Sequence, residues 1–384
     1  MASPLRHIPL RRIPLRRIIV TGDFLRPVEK GFRPSQTENI RWLYRLLRRH
    51  LGEASRLPVD CLSWGDGLDA AAFYAWFGAE PSAAGWAGFF DAGTVPAAVL
   101  ETCEATFGDA IVVGFELAEW FKRTLSHLDI PYVDLNIHPV RFLPDVFFAV
   151  QTNDAEVFAA LLSHHTDPEA FHGWADLVSA TALKLRPDLA LEAPALLVGQ
   201  TSLDRSLVDG GRVVNLEDHA GAVRALLRRD GCVAFKPHPY NSGDFGLFRT
   251  GIPFRQVRMV RANAYALLAH PGLREVVGVS SSLLVEAPYF DTAARILHRS
   301  PFDLAGGRGA ARPGQHLSLV DGLLETDVWR SILAPLLPVT RPDGWRFRLP
   351  ANSLRLSLRN FWGFNELSTD FLVQLYQGGQ ARAG

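Results

Sequence analysis

Cysteine is scarce in this chain, and neither sign of charge is in excess. Its 384 residues include three cysteines, Cys61, Cys103 and Cys232. An odd number without C-x-x-C spacing argues against a disulfide framework and a zinc site, and fits a reducing compartment. Lys plus Arg and Asp plus Glu each number 40, so the formal net charge is zero. Because nucleic-acid affinity depends on excess positive charge, this balance argues against a nucleic-acid enzyme.

Long hydrophobic runs are also missing. No apolar run approaches the roughly 18–20 residues that a spanning helix needs, and the N-terminus lacks the apolar stretch of a signal peptide. We therefore expect a cytoplasmic protein. Five arginines precede the first acidic residue: Arg6, Arg11, Arg12, Arg16 and Arg17. Three interpretations stay open: a disordered or mis-started leader, a first strand with basic flanks, or a basic surface that associates with the inner face of the cytoplasmic membrane.

Several common catalytic motifs are absent as well. The chain has no G-x-G-x-x-G after a strand, no G-x-x-x-x-G-K-S/T and no G-x-S-x-G. These absences argue against dinucleotide enzymes, P-loop ATPases and serine hydrolases. Asp66 and Asp69 are close in sequence, but such a loop pair is not a convincing metal signature.

Apolar runs bounded by turn residues alternate with helical periodicity, a pattern typical of βαβ units and parallel sheets. It predicts an α/β, GT-B-like fold with two Rossmann-like lobes, an interlobe cleft and C-terminal helices. The predicted divisions are an N-terminal lobe at 17–152, a helical bridge at 153–190, a C-terminal lobe at 191–345 and a segment crossing back at 346–384. Helices are predicted at 116–128, 317–337 and 353–376, among others.

The sequence K-P-H-P follows a predicted buried strand of the second lobe. In open α/β sheets, ligands lie beyond the carboxyl ends of strands, which places Lys236 and His238 at a ligand site. Pro237 and Pro239 stiffen the turn and hold His238 in one orientation, from which it can donate to a phosphate oxygen. The alternative is a structural turn whose Lys and His face water.

Three serines, Ser280, Ser281 and Ser282, lie between the next buried strand and a predicted helix. Backbone N–H groups and hydroxyls at a helix start attract an anion, so this turn is a candidate phosphate cradle. Glu286, one turn into the helix, is a candidate acceptor for ribose hydroxyls. The alternative is a capped helix with an incidental glutamate.

A further polar loop follows the first strand of the second lobe and contains Gln200, Asp204 and Ser206. Asp204 either lies at the mouth of the cleft or caps the following turn. In the first lobe, Glu116 directly follows a buried strand and opens a predicted helix. It is either a helix cap or a base that faces the cleft.

His138 and Arg141 follow the predicted strand at 132–137 of the first lobe. The planar guanidinium of an arginine pairs with a carboxylate through two parallel hydrogen bonds. Arg141 is therefore a candidate fork for a substrate carboxylate.

Five blocks of this sequence together resemble the retaining β-Kdo transferases, which add 3-deoxy-D-manno-oct-2-ulosonic acid (Kdo) to bacterial capsule and O-antigen polysaccharides. The blocks are G-F-E, Y-x-D-L-x-I-H-P-x-R-F, G-Q-T-x-x-D-x-S, K-P-H-P and S-S-S-x-x-x-E-A, in this order between residues 17 and 297. The resemblance implies a GT-B-like fold with CMP-β-Kdo bound by the C-terminal lobe and a glycan or glycolipid acceptor bound by the N-terminal lobe.

The resemblance also implies residue roles. Asp204 matches the nucleophile and Glu116 the acid/base group of a double displacement. His238 would stabilise the CMP leaving group, so no metal cofactor is expected. Arg141 or Lys236 would pair with the Kdo carboxylate. Association with other polysaccharide-assembly enzymes is a further expectation.

Three other functions remain open at this point. A sialyltransferase that uses CMP-sialic acid would need a similar site, because both donors are CMP-linked 2-keto acids. A nucleotide-sugar epimerase of similar architecture would also place acids and a histidine in its cleft. A non-enzymatic binding protein would leave Asp204 and Glu116 without a joint role.

Overall fold

The structure is a computed structural model that describes residues 14–27, 35–201, 203–238, 246–300, 302–320, 322–342, 344, 346 and 348–359. Arg6, Arg11 and Arg12 of the basic leader lie outside these residues, as does the predicted helix beyond residue 359. Among the described helices, none combines the length and the apolar character needed to cross a membrane.

The elements alternate between strands and helices, as the sequence pattern predicts. The strands are β1 (Arg17–Gly22), β2 (Val59–Cys61), β3 (Ser63–Trp64), β4 (Gly67–Leu68), β5 (Ala110–Phe115), β6 (Tyr132–Ile137), β7 (Phe148–Thr152), β8 (Ala195–Val198), β9 (Val208–Asp209), β10 (Arg212–Val213), β11 (Val233–Lys236), β12 (Val257–Met259), β13 (Glu275–Gly278), β14 (Ala293–Ile296) and β15 (Leu317–Leu319). The helices are α1 (Gln36–Ser55), α2 (Ala70–Trp76), α3 (Ala83–Phe90), α4 (Ala97–Phe107), α5 (Glu119–His127), α6 (Ala155–Leu162), α7 (Glu169–Leu185), α8 (Ala220–Asp230), α9 (Gly246–Arg249), α10 (Ala264–Leu268), α11 (Leu283–Glu286), α12 (Thr326–Leu333) and α13 (Ser353–Ser357).

The first lobe is built on a six-stranded sheet with the order β15-β7-β6-β5-β1-β2. The four strands from β6 to β2 are parallel, and β7 and β15 are antiparallel to their neighbours. Both faces are covered, because Ile19 and Val112 belong to one buried cluster while Ile18 and Val113 belong to another. The chain reverses direction across the sheet between β1 and β5, which puts the loops after these strands at the cleft.

The second lobe is a five-stranded parallel sheet with the order β12-β11-β8-β13-β14. This is the Rossmann order, in which the first strand lies in the middle and the chain reverses beside it. The point of reversal lies between β8 and β13. The predicted fold class, an α/β protein with two Rossmann-like lobes, is confirmed.

The chain returns to the first lobe earlier than the sequence predicts. Residues 317–337 are predicted as a helix of the second lobe, and that prediction is wrong at its start. Leu317–Leu319 is a strand that pairs with β7 of the first sheet, and among the described residues of this range only Thr326–Leu333 is helical. The helix packs on α1, with Trp329 fully buried. A short apolar segment fits a strand or a helix equally well, so periodicity alone does not distinguish them.

The predicted bridge at 153–190 contains two helices and no strand, but the helices pack on different lobes. Val157, Phe158 and Leu161 of α6 join a core cluster of the first lobe. Phe171 and Val178 of α7 join a core cluster of the second lobe. Residues 163–168 are therefore where the chain passes from one lobe to the other.

Candidate functional site

A cleft of about 310 Å³ lies where the carboxyl ends of the two sheets meet. All of the predicted site residues except His138 line it: Glu116, Arg141, Gln200, Asp204, Ser206, Lys236, His238, Ser280, Ser281, Ser282 and Glu286. They lie at or after the carboxyl ends of five different strands, β5, β6, β8, β11 and β13, so only the folded chain brings them together.

The loops after β8 and β13 are joined by a hydrogen bond at the point of chain reversal. The side-chain oxygen of Gln200 accepts it from the backbone N–H of Ser280, at 2.8 Å. Gly199, the residue before Gln200, lies against the K-P-H-P turn, where a Cβ atom would come within 2.9 Å of the backbone nitrogen of His238. A glycine here therefore allows the polar loops after β8 and β11 to approach each other closely.

Lys236 ends β11, and its Nζ donates to the carbonyl of Ala262 at 2.7 Å. This contact orients the ammonium group at the cleft wall. His238 lies two residues further and lines the same wall. Lys236, Pro237 and His238 therefore all line the cleft, and Pro239, the last residue of the K-P-H-P sequence, lies outside the described residues.

Asp204 lines the cleft and also caps a local turn, so the two sequence interpretations of this residue are compatible. Its Oδ1 accepts hydrogen bonds from the backbone N–H of Ser206 at 3.0 Å and from the Ser206 hydroxyl at 2.9 Å. The turn that follows is a short 3-10 helix, Arg205–Leu207. These bonds restrict the rotation of the Asp204 carboxylate.

Glu116 does not open a helix, which corrects the prediction for 116–128. The helix α5 begins at Glu119, and Glu116 lies in a tight turn with a φ of 52°, in the left-handed region. This conformation is uncommon for a residue other than glycine and is concentrated at functional sites. The helix dipole of α5 therefore does not act on Glu116 as it would on a residue of the first turn. Of the described basic residues, Arg26 forms an ion pair with Glu116, with its Nη1 3.8 Å from Oε2.

The turn that carries Glu116 is fixed by a hydrogen bond to a buried acid, Asp134. Oδ1 of Asp134 accepts a hydrogen bond from the backbone N–H of Leu117 at 2.9 Å. The Leu117 side chain folds back over Gly114, where any Cβ atom would lie 2.2 Å from it. Burial raises the pKa of the Asp134 carboxyl, while Lys122 and Arg205 oppose that rise.

Arg141 offers a cation with no carboxylate within ion-pair distance among the described residues. Its Nε is buried and has no hydrogen-bond partner. Burial lowers the pKa of Arg141, and the more distant Glu286 and Glu116 act against this effect. A buried N–H group without a partner is costly, and a guanidinium pairs well with an anion, so the site is suited to an anionic ligand group.

Two hydroxyl groups of the cleft wall also lack partners. Thr201 Oγ1 and Ser280 Oγ make no hydrogen bond within the described part of the chain, and the two residues are 6% and 2% exposed. Buried hydroxyls are nearly always hydrogen-bonded in folded proteins. Both atoms are therefore placed to bind polar atoms of a ligand.

Glu286 is 1% exposed and joins the two lobes. Its Oε1 accepts hydrogen bonds from the backbone N–H of Arg141 at 2.6 Å and from the Tyr265 hydroxyl at 3.0 Å. Burial raises the pKa of its carboxyl to about 7, although these donors work in the opposite direction. This gives Glu286 a structural role, and its predicted contact with a ribose stays a prediction.

His138 lies outside the cleft, unlike the other predicted site residues. It is 0% exposed, its Nε2 lies 2.9 Å from the Ser318 hydroxyl, and its Nδ1 accepts the Val140 N–H at 3.1 Å. Burial lowers the pKa of this imidazole to about 3, which keeps it neutral. The ring fixes the loop that carries Arg141 and anchors β15 rather than facing a ligand.

Sequence reasoning missed several residues of the cleft wall, including Arg26, Thr201, Arg205, Asn263 and Tyr265. Thr201 and Arg205 lie within the G-Q-T-x-x-D-x-S block, so their neighbours in sequence could have pointed to them. Arg26, Asn263 and Tyr265 belong to no motif of the sequence. They reach the cleft only through the way in which the two lobes pack.

No protein-family model matches the chain, and no curated protein matches it. Among solved structures it is similar to two from Thermosulfurimonas dismutans, "KpsC, beta Kdo 2,7 transferase" and "KpsC, beta Kdo 2,4 transferase". The first is 14% identical over 61% of this chain and 79% of that chain, with a TM-score of 0.35. The second is 15% identical over 58% and 78%, with a TM-score of 0.34. Because both similarities are distant, we base the functional assignment on the residues of the cleft.

Proposed function

We propose that this protein is a retaining glycosyltransferase that moves Kdo from CMP-β-Kdo to a glycan acceptor in the synthesis of bacterial surface polysaccharide. The observation that carries the proposal is that Asp204 and Glu116, on loops of different lobes, line one cleft together with Arg141, which forms no ion pair with any described residue and whose Nε is buried without a hydrogen-bond partner. Two carboxylates can supply the nucleophile and the acid/base group of a double displacement, and a guanidinium can bind the carboxylate of the sugar.

The reaction proceeds in two steps. In the first, an oxygen of Asp204 attacks the anomeric carbon of Kdo, and the bond to the phosphate oxygen breaks, so that CMP leaves with the electron pair. In the second, the acceptor hydroxyl attacks the same carbon, Glu116 takes its proton, and the bond to Asp204 breaks. Two inversions at one carbon give net retention.

Groups of the second lobe would stabilise the CMP leaving group. His238 and the serine turn lie after β11 and β13, where a Rossmann-like sheet binds its ligand. Hydrogen bonds from the imidazole and from the unpaired Ser280 hydroxyl would stabilise the negative charge that develops on the CMP phosphate. Arg141 would pair with the Kdo carboxylate, and this pairing would orient the sugar relative to Asp204.

Groups of the first lobe account for the acceptor. Ser35, Gln36 and Asn39, at the start of α1, line the cleft and belong to the same lobe as Glu116. Amide and hydroxyl groups of this kind bind sugar hydroxyls, so this wall supports the choice of a glycan or glycolipid acceptor. A site at the inner face of the cytoplasmic membrane, beside other polysaccharide-assembly enzymes, is part of the same proposal.

A donor screen tests the proposal. The protein is incubated separately with CMP-Kdo and CMP-sialic acid, each with and without a bacterial surface glycan as acceptor, and released CMP is measured. We expect acceptor-dependent release from CMP-Kdo alone. Release from CMP-sialic acid alone would instead identify a sialyltransferase, and conversion of a nucleotide sugar without any acceptor would identify an epimerase. If neither donor binds or reacts, the proposal is wrong.

A further inference from the structure

The segment that carries Asp204 belongs to the second lobe in sequence but is built into the core of the first lobe. Leu203 and Val208 are buried in a hydrophobic cluster whose other members come from the first lobe. The backbone N–H of Gly210 donates to Asp91 Oδ2, before α4, at 3.0 Å. Asp204 therefore has its neighbours on both sides fixed against the lobe that carries Glu116.

Arg26 links the two carboxylate-bearing segments directly. Its Nη2 donates to the carbonyl of Leu203 at 2.9 Å, and its Nη1 lies 3.8 Å from Glu116 Oε2. The guanidinium carbon lies 5.7 Å from the centre of the Trp86 ring, and the Trp86 indole donates to the buried Asp23 at 2.9 Å. The Trp86 ring therefore positions Arg26 through a cation–π contact, and the hydrogen bond to Asp23 fixes the Trp86 ring in turn.

Arg205 forms a second link, through the interior of the first lobe. Its guanidinium donates to Oδ1 of Asn136 and, at 3.4 Å, to Oε1 of Glu119. Asn136 donates in turn to Asp134 Oδ2 at 3.0 Å. Because Asp134 also holds the turn at Leu117, this network runs from the residue after Asp204 to the residue after Glu116.

We propose that Arg26 and Arg205 are positioning residues that hold Asp204 and Glu116 in a fixed relation to each other across the lobe boundary. This inference rests on the proposed function, since it concerns the geometry of those two carboxylates. Neither arginine donates to the Asp204 carboxylate, so each acts on Asp204 through the backbone of its segment. Arg299 of the second lobe also donates to the carbonyls of Arg205 and Val208, so the segment remains attached to its own lobe.

The first test compares Arg205→Ala and Arg26→Ala with the wild type in transfer from CMP-Kdo. We expect kcat to fall at least about tenfold in each variant, because a small displacement of a nucleophile costs much of its effective concentration. The affinity for CMP should stay within about twofold, since among the described residues the side-chain hydrogen bonds and ion pairs of the two arginines go to other segments than the loops after β11 and β13. Arg212→Ala is the matched control, because Arg212 lies in the same segment and forms an exposed pair with Asp218 at 3.0 Å. A wild-type kcat in both variants would overturn the inference.

Two further measurements separate positioning from loss of folding. Asn136→Ala should lower kcat as Arg205→Ala does, and the double variant should be no worse than either single one, because the two residues form one link. Additive losses would contradict this.

Amide hydrogen exchange over residues 203–208 should be faster in Arg205→Ala and unchanged in Arg212→Ala. This measurement needs no substrate, so unchanged exchange overturns the link even if the protein uses neither donor. If Arg205→Ala does not fold, the same two measurements, kcat and amide exchange over residues 203–208, are made on Arg26→Ala. The Arg26 side chain lies at the cleft, so its removal should disturb the core less.

Discussion

The side-chain oxygen of Gln200 accepts a hydrogen bond from the backbone N–H of Ser280 at 2.8 Å. This bond spans the point at which the strand order of the second sheet reverses. β8 and β13 are neighbours in that sheet, so their loops diverge at its carboxyl end and leave a crevice between them. The hydrogen bond fixes the width of that crevice. Gly199, the residue before Gln200, lies against Pro237 and His238 on the other side of this crevice.

Gln200→Ala should weaken CMP binding about tenfold. Removing the amide leaves the Ser280 N–H without its partner, at a cost of about 1–3 kcal/mol, and allows the serine turn to shift. Calorimetric titration with CMP measures the effect. Gln256→Ala is the control, because the Gln256 side chain donates to the carbonyl of Gly231 at 3.1 Å, on a part of the second lobe that does not line the cleft. Equal CMP affinities in the two variants would remove Gln200 from the binding site.

Arg141→Lys should separate recognition of the sugar from recognition of the nucleotide. The lysine keeps the charge but loses the unpaired Nε and the fork that binds a carboxylate through two bonds. We expect about tenfold weaker binding of CMP-Kdo and unchanged binding of CMP. Surface plasmon resonance or calorimetry with both ligands gives the ratio. An equal loss for both ligands would mean that Arg141 acts on the nucleotide or on the fold instead.

Thr201→Val should leave the fold intact and weaken donor binding. The Thr201 hydroxyl is buried without a hydrogen-bond partner, so replacing it by a methyl group of similar size removes no bond from the free protein. The melting temperature should stay the same or rise slightly, while CMP-Kdo binds about threefold to tenfold more weakly. Thr124→Val is the contrast, because the Thr124 hydroxyl donates to the Trp120 carbonyl at 2.9 Å away from the cleft. That variant should lower stability and leave donor binding unchanged, and the opposite pattern would refute the assignment of Thr201.

Asp23→Asn should flatten the dependence of stability on pH. Burial raises the pKa of Asp23 from 3.8 to about 7, against the effect of Arg26. Between those values the folded chain retains a proton that the unfolded chain has released, so this group's contribution to stability falls as the pH rises towards 7. The slope is at most about 1.4 kcal/mol per pH unit. Arg26, Arg205, Glu116, Trp86 and Tyr74 are the polar neighbours that act on this carboxyl or respond to it.

Urea unfolding of wild type and Asp23→Asn at about pH 5, 6, 7 and 8 measures this difference. The stability of the variant relative to wild type should increase as the pH rises from about 5 to 7 and then become constant. Asp176→Asn, on the exposed side of α7, is the control and should follow wild type at every pH. A constant difference between wild type and Asp23→Asn would show that Asp23 does not take up a proton in this range.

The sequence predicted the fold well because strands such as Ala110–Phe115 and Glu275–Gly278 are continuous apolar runs with turn residues at both ends. Such runs belong to parallel sheets buried on both faces. The edge strands β12 and β15 were not predicted, because each has three residues and its place depends on pairing with a distant segment. The chain returns to the first lobe at Leu317 because this segment pairs with the distant strand β7, and the local sequence pattern contains no information about that pairing.

For the site, the sequence identified residues that follow strands, since topology brings strand ends together. It placed His138 with them, because a polar residue after a strand looks the same whether its side chain turns outwards or into the core. Ser318, which lies 180 positions further along the chain, supplies the partner that keeps His138 inside. Arg26 and Arg205 were missed for the converse reason, since their partners are a carbonyl and an amide that only the packed lobes bring within reach.

The most direct test of the proposed mechanism is a mass measurement on the intact protein after brief incubation with CMP-Kdo and no acceptor. A double displacement predicts a mass increase of one Kdo residue, located by peptide mapping on Asp204 and absent from Asp204→Ala. Addition of acceptor should remove the adduct. Full activity of Asp204→Ala in Kdo transfer from CMP-Kdo, or an adduct on any other residue, would contradict the assignment of Asp204 as the nucleophile.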